Sequence, residues 1–146
     1  HLVHAVFDRD GLGTLYVDGK LVGSKSLSQS GDISNGNPFT IGEFSSLDGR
    51  LFKGSVDDVA MWNSALSASE IVSIYNSGYP LDLRLNTGSY VSSSSLKGYW
   101  RFNDESQTAL DLSGSGADGA ISGTIGVGAP GLTGVDTLTN NAISFI

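Results

Sequence analysis

The stretch SVDDVAMWNSALSASEIVSIYNSG, from Ser55 to Gly78, places a strand pattern directly before the signals of one short helix. Phe52, Val56, Ala60 and Trp62 fall on one face at even spacing, while Val59 and Met61 face the other way, which indicates one β-strand from Leu51 to Trp62. Ser67 and Glu70 have the spacing of a capping box, which predicts a helix from about Ser67 to Ser77. Because 20 of the 146 residues are Gly, we expect the rest of the chain to consist of strands and turns.

The predicted helix is too short to persist alone in water, so it must be held by its apolar side. Leu66 and Ile71 occupy the two positions of a hydrophobic staple. Ile71, Ile74 and Tyr75 form one apolar stripe, and Asn76 and Gly78 supply the stop. We therefore expect the helix to act as a plug that covers the open end of a β-sandwich.

The other apolar runs predict an all-β fold, an antiparallel β-sandwich of the jelly-roll type. Asp18-Gly19 lies between two apolar runs and is typical of a type I′ hairpin turn. The strand candidates are short apolar or alternating runs bounded by turn residues: Leu2–Phe7, the two runs beside Asp18-Gly19, Phe39–Phe44, Leu51–Trp62 and Gly98–Phe102.

The net charge limits the classes of partner that the chain is expected to bind. The net charge is −7, which argues against a nucleic-acid partner because phosphate binding needs a basic face. No apolar run approaches the roughly 20 residues of a membrane span, so no membrane insertion is expected. There is no Cys and therefore no disulfide framework. Since the chain starts at His1 within a strand pattern, we expect it to be a piece of a longer polypeptide.

Three segments in order resemble the C-terminal half of a concanavalin A-like, laminin-G-type module, and their ending is similar to that of pentraxins. The segments are LVHAVFDRDGLGTLYVDGKLVGS, FTIGEF and LFKGSVDDVAMWNSALSASEIVSIYNSG. The matching positions are His4, Leu15–Gly19, Ile41-Gly42, Gly54–Trp62 and Ala65–Ile71. The resemblance covers about the first 80 residues, and it implies that the helix is the plug that closes the sandwich.

The downstream segments GYWRFND and DLSGSGADGAISG resemble the opening strand and turn of such modules in surface and phage structural proteins. We therefore divide the chain into residues 1–80, the C-terminal half of a sandwich; 81–95, a polar linker; and 96–146, the opening-strand segment. The last segment either completes the same sandwich, as a circular permutation, or starts a second module. In both cases the sandwich is incomplete.

The permuted alternative makes a specific prediction about one strand. Tyr99–Phe102 should pair antiparallel near Gly54–Trp62. Trp100 or Phe102 should then contact the core that holds Trp62.

The paired acids Asp57-Asp58 raise the question of acid–base catalysis. Neighbouring residues on a strand point to opposite faces, so the two carboxylates cannot act together across one bond. We expect one to bond backbone and the other to be solvated. The Glu-x-Asp-x-x-Glu run of laminarinase-type hydrolases, which belong to the resembled superfamily, does not occur. The chain is therefore predicted to have no catalytic residues, and a glycoside hydrolase is the least favoured alternative.

The other chemistry-bearing residues have structural interpretations. His1 and His4 are the only histidines, and no Ser or Asp near them suggests a catalytic triad. We expect them to have a structural role or to lie at the surface. Asp111 starts a run of turn residues that we interpret as a turn and not a metal loop. Three tyrosines would be able to stack on sugar rings if exposed: Tyr16, Tyr90 and Tyr99.

Calcium is the one cofactor that the sequence leaves open. Asp8 and Asp10 begin like a calcium loop, but the position that needs a bidentate Glu holds Gly19. The resemblance to pentraxins implies a calcium loop at Glu43 and Asp48. Two carboxylates do not fill the six to eight oxygen ligands that calcium prefers, so backbone carbonyls or other strands would have to contribute.

These observations predict a non-catalytic recognition or adhesion module, located outside the cell, on a cell surface or on a virion, that contacts a glycan or a protein. The alternative is a purely architectural module that contacts other modules or chains of a larger assembly. The residues expected to be structural are Ser67, Glu70, Trp62, Ile71, Ile74, Tyr75, Asp18, Gly19 and Trp100.

Overall fold

The computed structural model describes residues 1–28, 36–42, 52–103, 108–122, 125–130 and 141–145. Over these residues the chain is mostly strand with a single short α-helix, and every strand pair is antiparallel. The elements are β1 (Val3–Phe7), β2 (Leu12–Val17), β3 (Lys20–Ser26), β4 (Gly54–Val56), β5 (Val59–Trp62), α1 (Ala68–Tyr75), β6 (Leu96–Trp100), β7 (Thr108–Ala109), β8 (Gly119–Ala120), β9 (Ile125–Pro130) and β10 (Asn141–Phe145), with 3₁₀ turns at Asn76–Gly78 and Ser93–Ser95.

The strands form four small sheets. Their strand orders are β1-β2-β3, β4-β10-β9, β5-β6 and β7-β8. The architecture, several antiparallel sheets with one short helix, agrees with the predicted all-β sandwich. In the described residues no helix is long and apolar enough to cross a membrane.

The predicted hairpin turn joins β2 to β3. Asp18 and Gly19 both have positive φ, at 51° and 74°, as a type I′ turn requires. A Cβ at Gly19 would lie 3.3 Å from the ring of Tyr75, so the turn packs directly against α1. Gly is therefore needed here both for its backbone conformation and for the close approach of the helix.

The helix α1 begins and ends where the sequence predicts. The Ser67 hydroxyl accepts a hydrogen bond from the Glu70 backbone N–H, and the Glu70 carboxylate accepts one from the Ser67 backbone N–H at 2.9 Å, which completes the capping box. Asn76 ends the helix in the left-handed conformation. The second Glu70 oxygen accepts from the hydroxyl of Ser92, so this one side chain also binds the helix to the segment that follows it.

The apolar stripe of α1 lies on the main core, as expected of a plug. Ile71 and Ile74 are buried, and Tyr75 is half-buried. Buried residues from the helix, from the turn just before it and from the chain after it make up this cluster: Leu66, Ile71, Ile74, Leu83, Tyr90, Leu96 and Tyr99. Side chains of β1, β2 and β5 pack against it, namely Val6, Tyr16, Ala60 and Trp62, together with Leu2, Leu81 and Leu112.

The expected long strand from Leu51 to Trp62 is broken into two. Asp58 has a φ of 50°, and a residue in the left-handed conformation does not continue a strand. As a result β4 pairs with β10, whereas β5 pairs with β6. The alternation of side chains therefore restarts after the break, so the single pattern predicted across the whole segment is wrong.

The strand β6 pairs antiparallel with β5, and the pairs include Val59 with Trp100 and Ala60 with Tyr99. The expected ladder is therefore present. The expected core contact is wrong, because Trp100 and Phe102 belong to a second buried cluster. Tyr99 joins the cluster of Trp62 instead, since consecutive strand residues point to opposite faces.

The segment between α1 and β6, predicted as a polar linker, is packed against the main core. Tyr90 is fully buried. Its hydroxyl donates to the Leu83 carbonyl at 2.8 Å and accepts from the Trp62 indole N–H at 2.9 Å. The segment is therefore part of the folded core and not a flexible linker. The division of the chain into domains stays a prediction.

The described part of the predicted strand Phe39–Phe44 has no strand structure. Phe39 stacks on Trp100 with 5.9 Å between ring centroids, and Ile41 packs against the second cluster. Gly42 has a φ of 85°, and its carbonyl accepts from the Phe52 N–H at 2.8 Å. The described part of this segment is therefore attached to the second cluster by side-chain packing, and the predicted strand is not seen there.

Candidate functional site

A cleft of about 1080 Å³ opens between β1 and the β4–β5 segment. Every residue of β1 and of β5 contributes to its lining. The aromatic and apolar side chains at the cleft include Phe7, Phe39, Phe52, Met61 and Trp62. A concave, largely apolar site with a few polar groups is the usual form of a binding pocket, so this cleft is the candidate functional site.

The edge of β1 that borders the cleft has unpaired backbone groups. Asp18 N–H donates to the Leu2 carbonyl at 2.9 Å, and Asp8 N–H donates to the Leu12 carbonyl at 3.2 Å. Residues of an antiparallel pair alternate between bonded and non-bonded positions, so the even-numbered residues of β1 bond to β2. The N–H and C=O groups of Val3, Ala5 and Phe7 therefore point away from β2, toward the cleft. Among the described strands β1 pairs only with β2.

Among the described residues, the facing edge of β5 also has no strand paired to it. The Tyr99 N–H donates to Asp111 at 3.0 Å, and its carbonyl accepts from Leu112 N–H at 2.8 Å. Both groups thus point away from β5, and Tyr99 and its partner Ala60 are a non-bonded pair. The backbone groups of Ala60 therefore point to the opposite side, which is the cleft side.

The two histidines stand beside the cleft in structural positions. The ring of His4 lies 5.9 Å from the ring of Trp62, and burial lowers the pKa of His4. A neutral imidazole fits this place against an aromatic ring. His1 Nδ1 lies 2.6 Å from an Asp18 oxygen, while the other Asp18 oxygen accepts from the Leu2 N–H. Asp18 thereby fixes the start of β1 from the hairpin turn.

Asp58 is buried and paired, not solvated as expected for one of the two adjacent acids. Its Oδ1 lies 3.1 Å from Nε of Arg101, and the two side chains are only 12 % and 7 % exposed. The Tyr99 hydroxyl lies 3.5 Å from the same oxygen and donates to the Leu81 carbonyl at 3.2 Å. The prediction of a solvated carboxylate is wrong because the turn at Asp58 directs its side chain at β6.

The protonation of this cluster is dominated by burial. Loss of solvation raises the pKa of Asp58 to about 6, and the neighbouring charge of Asp57 adds to the rise, while Arg101 opposes it. Burial likewise raises the pKa of the Tyr99 hydroxyl. A raised carboxyl pKa in a cleft is a common sign of an active site. Here burial accounts for the raised pKa, and the pairing of Asp58 with Arg101 indicates a structural role for the carboxyl group.

Asp111 organises the loop before β8 and presents no free face to a metal ion. Its carboxylate accepts from the N–H groups of Tyr99, Ser113 and Ala117 and from the Ser113 hydroxyl, at 2.9–3.0 Å. Burial acts against ionisation, but these donors hold the pKa of Asp111 at about 2. Asp118, near the other end of the loop, accepts a hydrogen bond from the Asp111 N–H at 2.8 Å, so hydrogen bonds join the two ends of the loop. This arrangement agrees with the interpretation of the segment as a turn.

Glu43 and Asp48, the residues predicted to bind calcium, lie outside the described residues, so this prediction stays open. Within the described part of the chain no three His, Cys, Asp or Glu side chains are grouped as a metal site. The Asp8 carboxylate accepts from the Asp10 N–H at 3.2 Å, and the Asp8 carbonyl accepts from Gly11 N–H, as in an ordinary turn.

Two of the three tyrosines considered for sugar stacking are excluded from that role. Tyr90 and Tyr99 are fully buried, and Tyr16 is half-buried against the main core. The side chain that sequence reasoning missed is Arg101. The available signal was a single charged residue inside the aromatic run GYWRF, in a strand that we expected to lie next to Asp57-Asp58.

Antiparallel sheets around two apolar clusters, with one capped helix over the larger cluster, define a β-sandwich with an open cleft. Residues 1–72 match a laminin-G-type family model of the concanavalin A-like lectin/glucanases superfamily, so this part of the chain is similar to that superfamily. No curated protein and no solved structure matches the chain. The superfamily's name covers both binding proteins and enzymes, so function has to be argued from the cleft.

Proposed function

We propose that this chain is a non-catalytic recognition module of an extracellular, cell or virion surface, and that it contacts a partner through the cleft between β1 and β5. The observation that carries the proposal is the cleft itself, which has a volume of about 1080 Å³ and a largely apolar lining. The proposed surface location follows from the kinds of protein that carry similar modules.

A protein partner fits this cleft better than a glycan. Glycan recognition needs many side-chain donors and acceptors for hydroxyl groups, whereas exposed aromatic faces such as those of Phe7, Phe39 and Phe52 suit either kind of partner. The cleft instead presents the open backbone edge of β1 and apolar side chains such as Met61 and Phe7, which are 41 % and 65 % exposed. Peptide segments satisfy both features at once, because they bring backbone hydrogen bonds and alternating apolar side chains.

Catalysis is not favoured by the geometry of the acids. Hydrolysis of a glycosidic bond requires two carboxyl groups on opposite sides of that bond. Asp58 is directed at Arg101 and Tyr99, and Asp57 and Asp58 both lie in the short break between β4 and β5. This arrangement supports a structural role for the Asp58 carboxyl group, despite its raised pKa.

The test is a screen of the intact chain against a glycan array, with and without calcium, and against an array of extended peptides. Met61→Gln changes a cleft residue, and Val72→Gln changes an apolar residue of similar exposure on the outer side of α1. We expect saturable binding that Met61→Gln weakens and Val72→Gln leaves unchanged. Absence of saturable binding, or equal loss in both variants, would contradict the proposal, as would turnover of a glucan.

A purely architectural role is the second candidate, and one observation favours it. Val3 and Phe7 point away from the core and are 63 % and 65 % exposed, and Leu15 on the neighbouring strand faces the same way and is 41 % exposed. Such an apolar stripe is typical of a surface covered by neighbours in an assembly. Sedimentation of the chain over a range of concentrations tests this role, since serine substitutions in the stripe should then abolish self-association.

A further inference from the structure

We propose that Asp57, Asp58 and Arg101 form a proton-sensitive clasp, which holds β6 on β5 more firmly in mildly acidic solution than at neutral pH. The clasp acts within the chain and does not depend on any partner bound at the cleft. Three properties of these residues support it: their place at the end of the β5–β6 ladder, their balance of charges and their burial.

The clasp stands at the end of the ladder that joins two distant parts of the chain. Val59 of β5 lies opposite Trp100 of β6, and Asp58 and Arg101 are the next residues beyond this pair. Nε of Arg101 donates to Oδ1 of Asp58 at 3.1 Å, and Asp57 lies in the same break between β4 and β5. A change of charge in the clasp therefore acts directly on the end of the ladder.

The three groups of the clasp balance their charges when one proton is bound. With both carboxyl groups ionised, two negative charges stand beside one guanidinium. A proton on Asp58 leaves the charge of Asp57 to balance that of Arg101. The side chains of Asp58 and Arg101 are only 12 % and 7 % exposed, so water solvates the additional negative charge poorly while the ladder is closed. The closed ladder should therefore bind this proton more tightly than an opened one.

The groups around the clasp do not reverse this balance. The Tyr99 hydroxyl on β6 lies 3.5 Å from the shared carboxylate oxygen, and burial raises its pKa, so it stays uncharged. Asp82 and Arg84, whose charges act on Tyr99, belong to one ion pair of 2.7 Å. The sequence of β4, GSV, carries no charged residue. On β1, His4 lies against Trp62 at the other end of β5, and burial lowers its pKa, so its protonation would have the opposite effect.

The sign and the range of the effect follow from the protonation of Asp58. Its pKa is about 6 in the folded chain, and a carboxyl group released into water returns to the ordinary value of 3.8. The contribution of the clasp is therefore complete below about pH 4 and is lost as the pH rises through 6. Between about pH 5 and 7.5 the ratio of closed to open ladder should fall by about tenfold. Asp111, with a pKa of about 2, stays ionised over this range.

Amide hydrogen exchange of the unaltered chain, measured at about pH 5 and 7.5 and corrected for the intrinsic pH dependence of exchange, tests the clasp. Val59 and Trp100 hold a bonded position of the ladder, because the next pair along is non-bonded. We expect their amides to be about tenfold more protected at the lower pH. Val6 and Thr14, a pair in the β1–β2 ladder, are the internal reference and should change by less than about twofold.

Two variants that remove the same charge separate the roles of the acids. Asp58→Asn should reduce the difference between the two pH values to less than about twofold, because the titrating group is gone. Asp57→Asn should keep a pH dependence whose midpoint lies lower, since the charge of Asp57 helps to raise the pKa of Asp58.

The exchange of the unaltered chain decides the matter even if a variant does not fold. Equal protection at both pH values, or greater protection at neutral pH, would overturn the clasp. An equal change in the β1–β2 reference would assign the effect to the whole fold and not to the β5–β6 ladder. A full pH dependence in Asp58→Asn would assign the proton to another group, and the proposal would then be wrong.

Discussion

Arg101 and Asp58 form a buried ion pair, with Nε of the one 3.1 Å from Oδ1 of the other. Asp58 lies at the break between β4 and β5, and Arg101 follows directly after β6. The pair therefore joins the part of the chain that matches the superfamily to the segment that follows the helix. Together with the ladder between β5 and β6, it binds these two parts through both side chains and backbone.

Loss of Arg101 should be costly. Arg101→Met leaves the buried carboxylate of Asp58 without its cation, and removing one partner of a buried pair costs about 3–5 kcal/mol in the free energy of unfolding. The control is Arg84→Met, which breaks a pair with Asp82 whose side chains are 49 % and 32 % exposed, and should cost about 1 kcal/mol or less. Urea denaturation measures both. Similar losses for the two variants would mean that the Arg101 pair is not shielded from water.

The carboxyl groups of Asp58 and Asp111 should have pKa values on opposite sides of the ordinary value for Asp. The pKa of Asp58 is raised from 3.8 to about 6, so the folded state holds this proton more tightly than the unfolded state does. Its stabilising contribution is complete below about pH 4 and is lost as the pH rises through 6. The pKa of Asp111 is lowered to about 2, so its contribution is present above about pH 4 and is lost as the pH falls toward 2. Carboxyl ¹³C titration by NMR should show both midpoints, and coincident midpoints near 4 would refute the assignment.

The helix should depend more on its buried stripe than on its cap. Ile74→Ala opens a cavity in the main core and should cost about 2–4 kcal/mol, whereas Ser67→Ala removes one N-cap bond and should cost about 1 kcal/mol. Val72→Ala, at an exposed position of the same helix, is the control and should have little effect. Urea midpoints rank the three variants. A milder effect of Ile74→Ala than of Ser67→Ala would show that α1 is not a plug.

Substitution of Gly98 by Ala should destabilise the protein far more than the same substitution of Gly23. A Cβ at Gly98 would overlap the indole ring of Trp100, while a Cβ at Gly23 meets no atom within 4 Å. Gly98→Ala should therefore displace Trp100 and cost about 1–3 kcal/mol. Gly23→Ala should be neutral or slightly stabilising, by less than about 1 kcal/mol. Thermal unfolding, followed together with the near-ultraviolet circular dichroism of Trp100, distinguishes the two. An unchanged tryptophan signal in Gly98→Ala would contradict the contact.

Local structure was determined by the sequence alone. The capping box of Ser67 and Glu70 and the Asp18-Gly19 turn appear as predicted, because each depends on backbone bonds within a few residues. The antiparallel pairing of β6 was also predictable, since an apolar strand edge needs a neighbour. The calcium residues Glu43 and Asp48 remain a prediction that the described residues do not test.

Tertiary structure decided the break at Asp58, the burial of Tyr90 and the pairing of Arg101. Each depends on a partner far away in sequence: Asp58 turns toward a residue 43 positions later, and Tyr90 bonds to Trp62, 28 positions earlier. Periodicity reports which side chains share a face, but it carries no information about what that face will meet. A polar-looking connector was therefore misread as a linker, and a buried carboxylate as a solvated one, because burial is a property of the assembled chain.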